Sequence, residues 1–268
     1  MPIRPKKTLK SSIRSNIRAN LSKNGLNEFS ISRLIPNIAT VAALCTGLSA
    51  IRFALLEHYE IAAIAIIVAA LLDSIDGRLA RLLKATSQFG AELDSLADFI
   101  NFGVAPPVVL YILTLHQLQG LGWGIVLFFS VCMGLRLARF NVMNTNSLKQ
   151  NKTASAYFVG VPAPAGAFIA LLPLMLTLAT KSDVFISPYI TGPIVIVAGL
   201  LLISRLPTYS FKTLKIQRDY VLPTMVLAGL LVASIASIPW ITASAIILAY
   251  IVTLPFSYRS AKNYQQEV

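Results

Sequence analysis

The sequence predicts an all-α integral membrane protein, and three observations support that fold class. Of its 268 residues, 56% are hydrophobic and only 13% are charged, whereas soluble domains carry about 25% charged residues. The mean hydropathy is +0.70. The apolar stretches have the length of membrane helices, about 17–25 residues, and lack the alternating pattern of barrel strands of about 9–11 residues.

Eight membrane spans are expected along the chain. Their approximate bounds are 36–56, 61–83, 94–115, 120–142, 160–180, 187–203, 221–238 and 240–256. The last two are short and have almost no loop between them, so a single tightly turned pair is an alternative, and seven or eight spans is the expected range. The segment 1–33 that precedes them is basic, and part of 9–34 suits an amphipathic helix on anionic headgroups.

Basic residues report the orientation of these spans. If the N-terminus is cytoplasmic, 21 of the 23 Lys and Arg residues fall in or beside cytoplasmic segments, and only Arg52 and Lys181 fall toward the other side. This bias is the one that cytoplasmic loops show. It predicts a multi-pass protein of the cytoplasmic (inner) membrane, and it accounts for the net charge of +12 without a nucleic-acid partner.

Four aspartates interrupt the apolar pattern. They are Asp73, Asp76, Asp94 and Asp98, and with Glu92 they make up five of the eleven acidic residues of the chain within 26 positions. A charged side chain at membrane depth costs roughly 3 kcal/mol on insertion scales. Four carboxylates are tolerable there only if they face water, cations or one another. They therefore predict a cation-binding site at the cytoplasmic ends of the second and third spans.

The spacing of the aspartates allows them to meet. Asp73 and Asp76 are i, i+3 on one helix, and Asp94 and Asp98 are i, i+4 on the next, so each pair shares a helix face. A short turn makes the two helices antiparallel neighbours. Four carboxylates cannot all stay ionised at close range without cations. All-oxygen ligands suit Mg²⁺ or Mn²⁺, and two such ions could share bridging carboxylates.

Small residues accompany the acidic ones. Gly77 and Gly90 stand in or beside helices, where glycine is unfavourable by about 1 kcal/mol relative to alanine, and Ala80 is also small. Missing side chains leave room for a flat group against the backbone, and Arg81 can bind a phosphate through two hydrogen bonds. These features describe a pocket for a nucleotide diphosphate. The alternative is that the glycines only permit close helix packing.

Eight of these residues follow the pattern D-x2-D-G-x2-A-R-x8-G-x3-D-x3-D. They are Asp73, Asp76, Gly77, Ala80, Arg81, Gly90, Asp94 and Asp98. With this motif the chain resembles the CDP-alcohol phosphotransferase family. The resemblance implies a six-helix catalytic core, here 34–205, that is usually a homodimer and opens to the cytoplasm. Residues 206–268 would add two further spans and a cytoplasmic tail outside that core.

Other stretches are similar to the membrane-bound phosphatidylserine synthase branch of the family. They are Leu34–Thr40, Phe102–Pro106, Arg136–Asn141 and Tyr157–Gly166. This narrower resemblance implies that the donor is CDP-diacylglycerol, that the acceptor is L-serine, and that the products are phosphatidylserine and CMP.

The resemblance also implies roles for individual residues. Asp73, Asp76 and Asp94 would hold one divalent ion, and Asp98 would join them at a second. Asp98 is the candidate general base that takes the proton of the serine hydroxyl. The candidate contacts of CDP-diacylglycerol are Asn37, Gly77, Ala80, Arg81 and Gly90.

An acceptor pocket for serine must recognise a carboxylate. Arg139 and Asn141 at the cytoplasmic end of the fourth span are the candidates. The alternative is that Arg136 and Arg139 are positive-inside residues whose side chains extend to lipid headgroups.

Two other functions fit parts of the pattern. The same aspartates would serve another acceptor, such as glycerol 3-phosphate, inositol phosphate or choline. A divalent-cation transporter would also place carboxylates in the membrane, at several depths along a permeation path. Here the acidic residues on the outer side, Glu57, Glu60 and Asp183, fall in predicted loops, and a transporter leaves Gly77, Ala80 and Arg81 unexplained.

Overall fold

The computed structural model describes residues 31–83, 87–150, 157–204, 207–209 and 221–266. Most of the predicted interfacial helix within 9–34, and nearly all of the basic segment 1–33, lie outside these described residues.

Helices dominate the described chain and confirm the predicted fold class. Their bounds are α1 Ile31–Leu55, α2 Tyr59–Leu82, α3 Gln88–Asp98, α4 Ala105–Leu113, α5 Gly120–Gln150, α6 Ala163–Thr180, α7 Pro188–Ile203, α8 Val221–Ser237 and α9 Pro239–Gln266. The sequence did not predict the two short strands β1 Tyr157–Val159 and β2 Pro207–Tyr209, which pair antiparallel with Phe158 opposite Thr208.

The chain is a multi-pass membrane protein. Four of the described helical segments are long and apolar enough to cross a membrane, and three shorter helices are also apolar. The four are Leu34–Leu55, Gln88–Leu113, Gly120–Met143 and Ala163–Thr180, and the three are Pro188–Ile203, Pro223–Ser237 and Pro239–Leu254. Helix α2 has 24 residues and is not one of the four, because its second half carries the charged residues Asp73, Asp76, Arg78 and Arg81.

Alanines let α1 and α2 approach closely. Both helices turn fully buried alanines toward the core, namely Ala43, Ala50, Ala54, Ala62, Ala63 and Ala69. Small side chains at a helix interface bring two backbones together, and in lipid this packing replaces the hydrophobic drive for association. The close contact fixes the register of α1 against the acidic half of α2.

The third span changes from α-helical to π-helical geometry between α3 and α4. The π-helical turn covers Phe99–Val104 and is followed by Pro106 and Pro107. Neither proline has an N–H, so neither can donate the helical hydrogen bond to the residue four positions earlier. The hydroxyl of Ser130 on α5 instead donates to the backbone oxygen of Gly103 at 2.8 Å. The third span begins at residue 88 and not at the predicted 94. Its helical geometry changes directly after Asp98.

Helix α9 packs into the core of the protein. It lies against α6, and Ile247 and Leu254 are buried in the same apolar cluster as Val161 and Ala167. At the start of α9, the indole Nε1 of Trp240 donates to Glu60 of α2 at 3.0 Å. Helix α9 is thus joined to the core helices, whereas α8 packs chiefly against α9.

Candidate functional site

Three aspartates meet at one point between α2 and α3. The carboxylates of Asp73, Asp76 and Asp94 each offer an oxygen, and these oxygens all lie within 4.8 Å of one another. Asp76 is buried, and the other two are half-buried. Helical periodicity places Asp73 and Asp76 on one face of α2, and the antiparallel α3 brings Asp94 against that face.

Asp98 lies beside this group, one turn farther along α3. Its carboxyl group lies close enough to that of Asp73 for a hydrogen bond when one of the two carries a proton. Its Oδ1 is buried and has no hydrogen-bond partner among the described residues. Two carboxyl groups that touch need a shared proton or a cation, because both cannot carry charge at that distance. All four aspartates of the motif therefore contribute to one polar cluster.

Thr40 of α1 orients one of these carboxylates. Its hydroxyl donates to Oδ2 of Asp76 at 2.6 Å and also lies 3.1 Å from the backbone oxygen of Pro36 in its own helix. Thr40 and Asp76 are both buried. Such a bond aims a carboxylate and holds one of its oxygens in place. Sequence analysis did not identify Thr40, although it lies one turn after the candidate residue Asn37.

The two glycines of the motif have different surroundings. A Cβ atom added to Gly77 would meet no atom of the described residues within 4 Å, so its side of α2 faces open space among them. A Cβ atom on Gly90 would lie 2.9 Å from Oδ1 of Asn37. Gly90 also donates its N–H to Ser87 Oγ at 3.0 Å at the start of α3. Gly90 therefore permits close packing of α1 on α3, whereas Gly77 leaves a space beside the carboxylates.

Ala80 and Arg81 continue α2 beyond the carboxylates. Ala80 is half-buried, and Arg81 is exposed in the last turn of the helix. An exposed guanidinium at the rim of a polar site is available to a phosphate.

The candidates for serine recognition lie on α5. Nη1 of Arg139 donates to the backbone oxygen of Ile203 at the end of α7, at 3.0 Å. Asn141 Nδ2 donates to Ser95 Oγ on α3, also at 3.0 Å. Each of these two bonds therefore joins α5 to another helix. The bond of Asn141 reaches α3, the helix that carries Asp94 and Asp98.

Asn101 is a second polar residue that sequence analysis missed. It lies in the π-helical turn after Asp98, is fully buried, and has no described hydrogen-bond partner for either amide atom. Leaving a buried polar group without a partner costs about 1–3 kcal/mol. The sequence could have identified Asn101, because it lies inside an apolar span directly after the motif, and a polar side chain there needs a hydrogen-bond partner.

The donor set of the cluster fits a hard divalent cation. Every candidate ligand atom is a carboxylate oxygen, and oxygen is the ligand that Mg²⁺ and Mn²⁺ prefer. A cation between the three aspartates would also remove the repulsion that their proximity creates. The aspartate cluster can therefore bind a divalent metal ion.

Comparison with known families identifies this arrangement. The family model for CDP-alcohol phosphatidyltransferase matches residues 33–204, which include all four aspartates and Thr40. The chain belongs to the CDP-alcohol phosphatidyltransferase family. The match ends before α8 and α9, so these two helices lie outside the part of the chain that defines the family.

Curated members of the CDP-alcohol phosphatidyltransferase family are similar over most of the chain. A Mycobacterium leprae protein is 41% identical over 86% of this chain and 76% of its own length. A Mycobacterium tuberculosis protein is 39% identical over 86% of this chain and 80% of its own. A Bacillus subtilis protein is 36% identical over 54% of this chain and 81% of its own, and is therefore a shorter protein. Each is named CDP-diacylglycerol–serine O-phosphatidyltransferase.

Replacing Thr40 with valine tests how the site holds a cation. The variant keeps the shape of the side chain and removes the hydrogen bond to Asp76. We expect about tenfold weaker Mn²⁺ binding, since loss of a bond that orients a metal ligand costs about 10–100-fold in affinity. The measurement is a Mn²⁺ titration of the purified protein followed by electron paramagnetic resonance.

Thr46→Val is the matched control for this titration. The Thr46 hydroxyl donates to the backbone oxygen of Ala42 in its own helix at 2.7 Å, so its loss leaves the aspartates untouched. Equal Mn²⁺ affinities in the Thr40→Val variant and the wild type would show that this bond does not orient a ligand.

Proposed function

We propose that the protein transfers the phosphatidyl group of CDP-diacylglycerol to the hydroxyl of L-serine and releases CMP. The observation that carries this proposal is the meeting of Asp73, Asp76 and Asp94 at one point in a chain of the CDP-alcohol phosphatidyltransferase family. The serine acceptor is supported by relatives of 39–41% identity that carry the name of that activity.

The four aspartates would hold two divalent cations, either Mg²⁺ or Mn²⁺. Asp73, Asp76 and Asp94 are the ligands of the first ion, and Asp98, which contacts Asp73, joins them at the second. Bound there, the ions supply positive charge to the diphosphate and to the CMP that leaves. Thr40, whose hydroxyl donates to Asp76, would fix the orientation of this ligand.

Asp98 is the proposed general base. It accepts the proton of the serine hydroxyl as the serine oxygen forms its bond to the phosphorus of the phosphatidyl group. The bond from that phosphorus to the bridging oxygen breaks, and the electron pair leaves with CMP. The Oδ1 of Asp98, which is buried and has no hydrogen-bond partner among the described residues, supports this role, because a base must have an oxygen that is not already bonded to another group.

Residues of α1, α2 and the start of α3 form the proposed donor site. The open space at Gly77 suits the cytidine, with Ala80 beside it and Arg81 at the phosphates. Gly90 contributes by letting Asn37 approach, and Asn37 supplies a polar contact near the diphosphate. The acyl chains would leave sideways between helices into the bilayer, which explains why the reaction uses a membrane fold.

Arg139 and Asn141 are the proposed contacts of the serine carboxylate. Arg139 uses Nη1 on the end of α7, and a guanidinium has further N–H groups that can bind a carboxylate. The bond between Asn141 and Ser95 supports the proposal, because it brings the end of α5 to the helix of Asp94 and Asp98.

The proposed architecture places this chemistry at the cytoplasmic face. The proposed catalytic core is 34–205, with 206–268 as an extension that follows it, and the family match over 33–204 supports this division. The charge bias of the loops supports a protein of the inner membrane whose N-terminus and active site face the cytoplasm. Resemblance to the family supports a homodimer.

Other acceptors remain the alternative within the same chemistry. Glycerol 3-phosphate, inositol phosphate and choline would use the same donor site and the same cations. The names of the curated relatives favour serine over these alcohols. A divalent-cation transporter is the alternative of another class, and membership of this transferase family counts against it.

An acceptor panel tests the proposed function. Purified protein receives CDP-diacylglycerol and Mg²⁺ or Mn²⁺, with serine, glycerol 3-phosphate, inositol phosphate or choline offered separately. We expect CMP release only with serine, and none after EDTA removes the cations. The Asp94→Asn variant should lose at least about 100-fold of the rate, whereas Glu92→Gln, an exposed position on the same helix, should retain it.

Each other result of the panel has a defined meaning. CMP release with a different acceptor would keep the cation site and replace serine as the substrate. Full activity of folded Asp94→Asn, or activity that survives EDTA, would contradict the cation site. Absence of CMP release with every acceptor would contradict the transferase proposal.

Gly77→Ala tests the donor site. The added methyl group meets no atom of the described residues within 4 Å, so their packing accepts it, but it enters the space proposed for cytidine. We expect the KM for CDP-diacylglycerol to rise about tenfold, as for an overpacked contact, and the KM for serine to stay unchanged. Gly124→Ala on α5, where a Cβ also meets nothing, is the control. An unchanged donor KM would place the cytidine elsewhere.

Arg139→Lys tests the acceptor site. Lysine keeps the charge and loses the paired N–H groups that bind a carboxylate. We expect the KM for serine to rise about tenfold while the KM for CDP-diacylglycerol stays constant. Arg52→Lys, an exposed position at the end of α1, should leave both values unchanged. If the serine KM of Arg139→Lys is that of the wild type, Arg139 does not bind the acceptor.

A further inference from the structure

The π-helical turn Phe99–Val104 directly follows Asp98, the proposed general base. A proline explains why the α-helix does not continue there, since Pro107 lies four residues after Gly103. In an α-helix a proline donates no hydrogen bond to the oxygen four residues earlier, and its ring clashes with that carbonyl group. The chain forms a π-helical turn instead, and such turns are frequent at functional sites.

Ser130 of α5 binds the turn through the oxygen that the proline leaves without an α-helical donor. Its hydroxyl donates to the backbone oxygen of Gly103 at 2.8 Å. A Cβ atom on Gly103 would lie 2.8 Å from Cγ of Met133, and one on Gly134 would lie 3.4 Å from Cε2 of Phe99. Small residues thus let α5 contact both the first and the fifth residue of the turn.

Helix α1 holds the other side of the turn. Asn101 of the turn is fully buried, and a Cβ atom on Gly47 would overlap its Oδ1 and lie 3.3 Å from its Cα. The backbone of α1 and the turn therefore approach as closely as a glycine permits. The turn is fixed between α1 on one side and α5 on the other.

The contacts with α1 show what the turn does to the helix before it. Asn37 faces Gly90 near the start of α3, and Gly47 faces Asn101 in the turn. These contacts are ten residues apart on α1, from 37 to 47, and eleven apart on the other segment, from 90 to 101. Without the extra residue, α3 would have to rotate by about 100° to keep the second contact. Its aspartates would then turn away from α2.

We propose that the π-helical turn positions Asp98 beside the other aspartates, and that Ser130 is the positioning residue that fixes the turn. This inference rests on the proposed function, which assigns Asp98 to the proton of the acceptor and to the second cation. Ser130 acts through the backbone of the turn and does not contact the substrates. Loss of its hydroxyl should therefore reduce turnover and leave the binding of both substrates unchanged.

Ser130→Ala is the direct test, with the full chain purified in lipid nanodiscs. We expect kcat to fall about tenfold, because a small displacement of a reacting group costs up to about 100-fold in rate. The KM values for CDP-diacylglycerol and L-serine should stay within about twofold of the wild type. Ser130→Thr keeps a hydroxyl at this position and should retain the kcat of the wild type.

Ser49→Ala on α1 is the matched control. The Ser49 hydroxyl donates to the backbone oxygen of Cys45 in its own helix at 2.7 Å, which is the bond that helical serines commonly make. Ser130 differs because its hydroxyl bonds to another segment. The control variant should keep kcat and both KM values.

A Mn²⁺ titration followed by electron paramagnetic resonance gives a readout that does not need turnover. In Ser130→Ala we expect the second Mn²⁺, which needs Asp98, to bind about tenfold more weakly, since loss of a group that orients a metal ligand costs about 10–100-fold in affinity. The first Mn²⁺ should bind within about twofold of the wild type, because Asp73 and Asp76 lie on α2, outside the turn.

Three results would overturn the inference: the kcat of the wild type in Ser130→Ala, an equal loss of kcat in Ser130→Thr, or unchanged binding of the second Mn²⁺ in Ser130→Ala. A wild type that releases no CMP with serine would contradict the proposed function, and the Mn²⁺ titration would still decide whether Ser130 positions Asp98. A wild type that binds a single Mn²⁺ would remove the second cation from the proposed function, and the kcat comparison would then decide.

Discussion

Repulsion among four carboxylates inside a membrane protein is the constraint on which the rest of this structure depends. Each charged side chain at that depth costs several kcal/mol, and Asp73, Asp76 and Asp94 are held within 4.8 Å of one another. A fold that tolerates this cluster must supply hydrogen bonds, cations or both. Thr40 supplies one hydrogen bond. The all-oxygen donor set suits divalent cations, which would compensate the remaining negative charge.

The surrounding helices meet this constraint through small residues. Alanines on α1 and α2 allow the contact that brings Thr40 to Asp76, and Gly90 allows Asn37 to approach the start of α3. Gly77 differs, since its side of α2 faces open space. Close packing and an open pocket therefore exist side by side around the carboxylates, and both depend on the absence of side chains.

Local patterns in the sequence predicted the helices and the aspartate pairs, because helical periodicity determines which residues share a face. The partners of those aspartates were not predictable in the same way. The bond from Thr40 to Asp76 spans 36 positions, and the bond from Asn141 to Ser95 spans 46, so both depend on how helices pack. The irregularity of the third span was easier to predict from the sequence, because Pro106 and Pro107 remove two helical hydrogen bonds.

Anomalous X-ray scattering from crystals grown with Mn²⁺ tests the central claim most directly. The account predicts a manganese peak bonded to carboxylate oxygens of Asp73, Asp76 and Asp94, and its disappearance in crystals of Asp94→Asn. Crystals of the wild type that show no manganese at these aspartates, or a peak that persists unchanged in the variant, would contradict the claim that the cluster exists to bind a cation.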